Sequence, residues 1–223
     1  MNSLAIRSTS NMILQKPVDY LTYDEFNTLK RACQIQYERS KQTENAQWIK
    51  DRDTLLMSLM WVTGGRITDC LTFSDEQINV KERTLTFVVK KRKVKKHFFD
   101  KGTPFVHTIY LDNETMFEIM EYTRMWNIKG LLFPARKESN KPLTRQAVNK
   151  KLNILTGLVG MRRIHPHEFR HGIAMYLQGQ GVPIEVISYR LAHSSTRITL
   201  ETYARMSASQ ERNIIESLGV RLR

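Results

Sequence analysis

The sequence predicts a mainly α domain that carries one small antiparallel β-sheet, an α+β arrangement. Two observations give it. Apolar residues recur at helical spacing through most of the chain, and in one region they alternate instead. Gly, Pro and Asn punctuate the segments between. The chain has 223 residues, 41% of them hydrophobic, which suffices for one large core. No apolar run nears the roughly 20 residues that span a bilayer. The opening "MNSLAIRSTSNMILQKP" lacks the continuous apolar stretch of a signal peptide.

Each element has its own signal. Residues 1–20 read as a loose arm containing Pro17. In "LTYDEFNTLKRACQIQYERS", Thr22 followed by Glu25 is a capping-box pattern at the head of a helix. A second helix covers "NAQWIKDRDTLLMSLMWVTGG". Leu55, Leu56, Leu59 and Met60 mark its core face, and Gly64-Gly65 stops it. "RITDCLTFSDEQI" begins a short helix and leaves it. "RTLTFVVKKRK" alternates Leu85, Phe87 and Val89 with Thr84, Thr86 and Val88, which is a strand. "FVHTIYLD" is its return strand, and the lysine-rich segment between them is a long hairpin tip. Helical periodicity then resumes in "NETMFEIMEYTRMW", "LTRQAVNKKLNILTGLVG", "PHEFRHGIAMYLQGQG", "PIEVISYRLAH" and "TLETYARMSASQERNIIESLG". Pro166 and Pro183 suit first helical positions. In the last segment Ile214, Ile215 and Leu218 share an apolar face. Cys33 and Cys70 fall within predicted helices and read as reduced core residues.

Charge narrows the function. The formal net charge is +13 and the isoelectric point about 9.9. Such a field favours a polyanion, most often nucleic acid. A merely soluble basic protein would spread its charge, whereas "KKRKVKKHFFDK" (90–101) concentrates it. Like charges that dense repel one another unless phosphates or carboxylates lie opposite.

The segment "HEFRH" (167–171) carries two readings. As H-E-x-x-H it would place His167 and His171 on zinc, with Glu168 as general base. That reading needs a third ligand, and "HGIAMYL" supplies no further His. Arg170 between the ligands would also oppose a second cation. As H-x-x-R it puts His167 and Arg170 on one face at a helix start, where unpaired N–H groups welcome phosphate. Arg adds a planar fork that fits phosphate, and His moves protons near neutral pH. "TGGRITDCLTF" offers Arg66 from a tight turn. By itself it reads equally well as an exposed turn residue. "RLAHSSTRITLETYARM" supplies His193 and, ten residues later, Tyr203. A tyrosine is ordinarily core or interface. As a nucleophile it needs a basic pocket of the kind these residues could form.

Together these residues resemble the catalytic domain of the tyrosine recombinase family, the integrase and Xer-like enzymes. "TGGRITDCLTF" resembles the family block bearing its first catalytic Arg. "LTFVVKKRK" resembles the β-hairpin bearing its Lys. "LLFPARKESNKPLTRQAVNKKL" resembles the segment leading to the helix before the catalytic one. "HPHEFRHGIAMYLQGQGVPIEVISYRLAH" resembles the H-x-L-R-H block and the following L-G-H. Tyr203 lies at the nucleophile position. Departures are Asp69 for the family Glu, Phe169 for Leu and Ala192 for the Gly before His193. The resemblance implies a catalytic unit over 21–206, between the arm of 1–20 and a helical tail over 207–223 that either packs on its own domain or is exchanged onto a neighbouring protomer. Such recombinases usually carry a core-binding domain before this unit. Here about 20 residues precede it, so the resemblance implies a minimal recombinase or a shortened chain.

The family mechanism then implies a role for each residue. Tyr203 attacks a DNA phosphodiester to form a 3′-phosphotyrosine and release a 5′-hydroxyl. Arg66 and Arg170 hold the non-bridging oxygens, His167 handles the tyrosine proton, and His193 bonds the phosphate. A hairpin lysine protonates the leaving oxygen. Lys91 continues the apolar alternation and is favoured, with Lys90 and Lys93 as alternatives. No metal or other cofactor is implied. The implied partners are double-stranded DNA, a homotetramer formed on it, and an accessory protein. The implied setting is the cytoplasm, with no membrane. Competing readings are a type IB topoisomerase, a DNA-binding protein that has lost catalysis, and the zinc protease.

Overall fold

The computed structural model describes residues 20–94, 103–192, 212, 215–217 and 219, with backbone alone at 91–94 and 103. The first helix, α1, spans Tyr23–Glu38. Both halves of the expected capping box are present. Thr22 Oγ1 accepts the Glu25 N–H at 3.2 Å, and Glu25 Oε2 accepts the Thr22 N–H at 2.9 Å. Its inner face carries Phe26, Leu29, Ala32 and Cys33. The second helix, α2, spans Glu44–Thr63 and is the axis of the core. Every residue from 55 to 63 is buried, so this end is enclosed on all sides rather than on one stripe. Trp61 stacks on Phe26 of α1, centroids 4.9 Å apart.

A four-residue helix, α3 (Ile67–Cys70), and a 3₁₀ turn at Asp75–Gln77 lead into the sheet. Its strands are β1 (Ile78–Asn79), β2 (Thr84–Val94) and β3 (Thr103–Tyr110), antiparallel in that order. Leu85, Phe87 and Val89 turn inward as the alternation predicts, while Val88 and its partner Val106 stay exposed. The sequence reading missed β1, because two residues are too few to show a period. Helices α4 (Asn113–Met125), α5 (Arg145–Leu158), α6 (Pro166–Gly179) and α7 (Ile184–Arg190) follow. Pro166 is the first residue of α6, as expected. Pro183 is not the first residue of α7. Its ψ of 139° is extended, so it stands just outside as the cap.

Two close contacts set the helix packing. At Gly172, α6 comes so near Leu21 and Trp61 that a Cβ would lie 2.2 Å from the Leu21 carbonyl oxygen. In α7, the buried Arg190 reaches across the core. Its guanidinium donates to the Val62 carbonyl at 2.6 Å and to the Tyr110 carbonyl at 3.0 Å, tying α2 and β3 together. Tyr189 Oη adds a bond to the Thr108 carbonyl at 2.7 Å. Cys33 and Cys70 are free and buried, and burial pushes each thiol up to about 12. Of the tail, Ile215 is buried in this same core, and Glu216 accepts from Tyr110 Oη at 2.8 Å. Ile214 and Leu218, read as sharing the apolar face with Ile215, lie outside the described residues, as does the arm over 1–19.

Two substitutions should move stability in opposite directions. Gly172→Ala has no room for its methyl against a backbone carbonyl, so it should destabilise by about 2 kcal/mol or more. Ala192 adopts φ +48°, the left-handed region. Ala192→Gly should therefore stabilise by about 0.5–1 kcal/mol, the released strain less the added chain entropy. Chemical denaturation midpoints compare both with the parent chain.

Candidate active site

The turn after α2 is built to present Arg66. Gly64 takes φ +56°, a conformation that closes helices and favours glycine. Thr63 Oγ1 donates to the Leu59 carbonyl at 2.6 Å and accepts the Gly65 N–H at 2.9 Å, pinning the turn from within. A Cβ at Gly65 would lie 2.9 Å from both Cys70 Sγ and Thr63 Oγ1, so the chain doubles back tightly here. Arg66 then caps α3, half-buried. On the same short helix, Asp69 is buried and its Oδ1 accepts the Lys90 N–H at 3.3 Å, which ties α3 to β2. Burial pushes its carboxyl above the usual range, against the Lys90 amide and the charges of Arg66, Lys90 and Arg170.

The first turn of α6 supplies the other side. Glu168 Oε1 accepts the His165 N–H at 2.8 Å, so it is engaged in starting its own helix. Its other oxygen pairs with Arg162. Arg162 in turn binds Glu25 Oε1 at 2.8 Å and the Tyr20 carbonyl at 2.8 Å. One arginine thus joins the capping carboxylates of α1 and α6, and Glu168 is not free to serve as the base of a metalloprotease. Three residues beyond the exposed His167, Arg170 is 95% buried, and its Nη1 donates to the Gly64 carbonyl at 2.7 Å. Arg170 Nη2 is buried without a hydrogen-bond partner among the described residues. A buried donor left unmade costs about 1–3 kcal/mol.

Arg170 borders a cavity of about 250 Å³ that Arg66, His167, Gly65 and Arg145 also line, and among the described residues no carboxylate lines it. Burial, with the Arg66 charge, pushes Arg170 down to about 10, which Asp69 and Cys70 oppose. It remains a cation at neutral pH. His167 lies below the usual imidazole range, first through burial and then through His171, Arg170 and Arg66. Near neutral pH it is therefore the neutral ring, able to accept a proton. The His171 ring meets it edge to face, centroids 4.5 Å apart. The arrangement can hold an anion with two guanidiniums and offer it a base.

Three of the six residues singled out from sequence, Arg66, His167 and Arg170, thus meet in one cavity. Lys91 lies on β2 inside a register break: Val89 pairs with Phe105, but Lys93 pairs with Pro104. The alternation that favoured Lys91 does not run through that irregularity, so parity does not choose among Lys90, Lys91 and Lys93. His193 and Tyr203 lie outside the described residues, as does the hairpin tip over 95–102. Arg145 was missed. Its signal was a cation directly after the cap Thr144 of α5.

Solved structures share this fold. A XerA recombinase aligns with a TM-score of 0.59 at 18% identity, over 91% of this chain and 65% of that one. A XerH recombinase bound to its difH substrate aligns at 0.57 and 16% identity, over 88% of this chain and 53% of that one. The fold is that of a tyrosine-recombinase catalytic domain. Among curated proteins, tyrosine recombinase XerD of Haemophilus ducreyi is 23% identical over 175 residues, 74% of this chain and 54% of that protein. Tyrosine recombinase XerA of Pyrococcus furiosus is 26% identical over 169 residues, 75% of this chain and 54% of that protein. With residues 20–210 matching it, the chain belongs to the phage integrase family. It spans about half the length of these curated relatives.

The electrostatics of His167 are directly measurable. Its titration midpoint by NMR should fall below 6.5, the ordinary value. In His171→Gln the neighbouring imidazole no longer opposes protonation, so the midpoint should rise. A midpoint that stays put would mean burial and the arginines alone set it.

Proposed function

We propose that this protein is a site-specific DNA recombinase that cleaves and rejoins DNA strands through a 3′-phosphotyrosine intermediate. The observation that carries the reading is the convergence of Arg66, Arg170 and His167 in one basic cavity that, among the described residues, no carboxylate lines. A phosphodiester is a monoanion that gains charge on its oxygens as it is attacked. Donors fixed in advance around those oxygens are worth about 2.7–4 kcal/mol each. The buried Arg170 is fixed by the Gly64 carbonyl and still has Nη2 to give. Arg66, from the turn after α2, lines the same cavity.

In this mechanism the Tyr203 oxygen attacks phosphorus and His167 takes its proton. The bond to the 5′-oxygen breaks, and that oxygen leaves with a proton from a hairpin lysine, Lys91 first among Lys90, Lys91 and Lys93. His193 donates to the phosphate. The phosphotyrosine conserves the energy of the broken bond, so a second 5′-hydroxyl can reverse the step on another strand. The partner is double-stranded DNA, gathered by a homotetramer, with an accessory protein assisting. The described residues of the tail pack on their own domain, Ile215 in its core, so the tetramer does not rest on exchange of that part of the tail. The protein works in the cytoplasm on DNA. Among the described residues, no helix is long and apolar enough to cross a membrane.

The deciding experiment uses a nicked duplex carrying the recombination site, recovered by selection from a random-sequence library. Cleavage near the nick frees a short strand, so the covalent intermediate accumulates. The parent chain should form the adduct and Tyr203→Phe should form none. Adduct in Tyr203→Phe would remove Tyr203 as nucleophile. Relaxation of supercoiled DNA with no strand exchange would make the enzyme a topoisomerase.

A further inference from the structure

We propose that Arg145 is a third phosphate-binding guanidinium, holding the backbone phosphate next to the one cut. This rests on reading the cavity as a phosphodiester site and extends it along the strand. Arg145 opens α5 from a different part of the chain, yet lines the same cavity as Arg66, His167 and Arg170. The cavity has a floor and a rim. Arg170 is buried at the floor, whereas Arg145 is exposed at the rim. A phosphodiester has two non-bridging oxygens, and Arg66 and Arg170 suffice for them. A strand that enters the cavity must also leave it, and the next phosphate then passes over the rim.

The position of Arg145 is electrostatically costly without an anion. A helix N-terminus carries partial positive charge and ordinarily attracts Asp or Glu. The first turn of α5 has no acidic residue, and Arg145 adds a full positive charge there. Thr144 Oγ1 accepts one free N–H of this turn, that of Ala147, at 3.1 Å. Among the described residues the other walls offer no compensation, since Arg66 and Arg170 are also cations and no carboxylate lines the cavity. Arg170, which lines the same cavity, also keeps a buried Nη2 without a hydrogen-bond partner among the described residues. An anionic strand laid across it relieves both features at once.

The test measures binding of the full chain to a duplex of arbitrary sequence across a salt series. Each lost phosphate contact lowers the slope of log K against log salt by about 0.9. Arg145→Ala should bind several-fold more weakly, with a slope lower by about one. Arg145→Lys keeps a point charge and should keep most of the slope. Because Arg145 holds its own phosphate, Arg66→Ala with Arg145→Ala should lower the slope by about one more than Arg66→Ala alone. An unchanged slope in Arg145→Ala overturns the proposal. So does a double variant no weaker than Arg66→Ala alone, which would put both side chains on one phosphate. Arg145 is exposed, so melting temperatures should match the parent and exclude misfolding. Failure of Tyr203→Phe to abolish adduct would undo the proposed chemistry but leave this binding result standing. Failure of the parent chain to bind DNA at all would overturn both.

Discussion

The bond from Arg170 Nη1 to the Gly64 carbonyl organises this molecule. It joins the first turn of α6 to the turn that ends α2, and those two turns carry His167 and Arg66. A guanidinium is expensive to bury, and a charge taken from water needs partners that stay put. Here the partner is a main-chain oxygen freed because Gly64 leaves the helix in the left-handed conformation. A residue with a Cβ at that point would strike Leu191 as well as resist the backbone angle. The helix stop therefore does three things: it ends α2, exposes an acceptor for Arg170, and sends the chain back so that Arg66 faces the same space.

The second requirement is that α6 lie close enough to α2 for this bond to form. Gly172 permits that approach, with Leu21 and Trp61 where a side chain would otherwise be. Arg162 then fixes the start of α6 by joining Glu168 to Glu25, the two carboxylates that cap α6 and α1. Exposed ion pairs contribute little individually. These are held by capping bonds on either side, so the arginine acts as a spacer between helix ends more than as a source of stability. A second buried cation, Arg190, performs for α7 the task that Arg170 performs for α6, using the carbonyls of Val62 and Tyr110. Buried arginines on main-chain oxygens are thus the recurring device of this core.

The site has a consistent electrical logic. Three arginines line the cavity, and the buried carboxylate of Asp69 accepts from the β2 backbone instead. That keeps the cavity positive while the hairpin is anchored to the same short helix as Arg66. The cost is a depressed Arg170 and a depressed His167. Both suit an anion: the first stays charged at neutral pH, and the second becomes a base. The same crowding weighs against a metal at "HEFRH". Glu168 is committed to its own helix start, and Arg170 points a positive charge into the space beside His167.

The sequence by itself determined the helices with caps or long periods, the alternating face of β2, and the association of Arg66 with His167 and Arg170. These signals are local, or repeat in a spaced order of motifs, and so survive in one dimension. It could not determine β1, whose two residues show no period, nor that Pro183 stays outside α7. It could not choose the hairpin lysine, because the register break after Val89 is set by pairing across strands. Only the tertiary structure decided that Arg162 joins two helix starts, that Ala192 sits in a strained conformation, and that Arg145 shares a cavity with residues far away in the chain. Each of these depends on the distance between segments remote in sequence, and that distance is fixed by how closely α2, α5 and α6 pack.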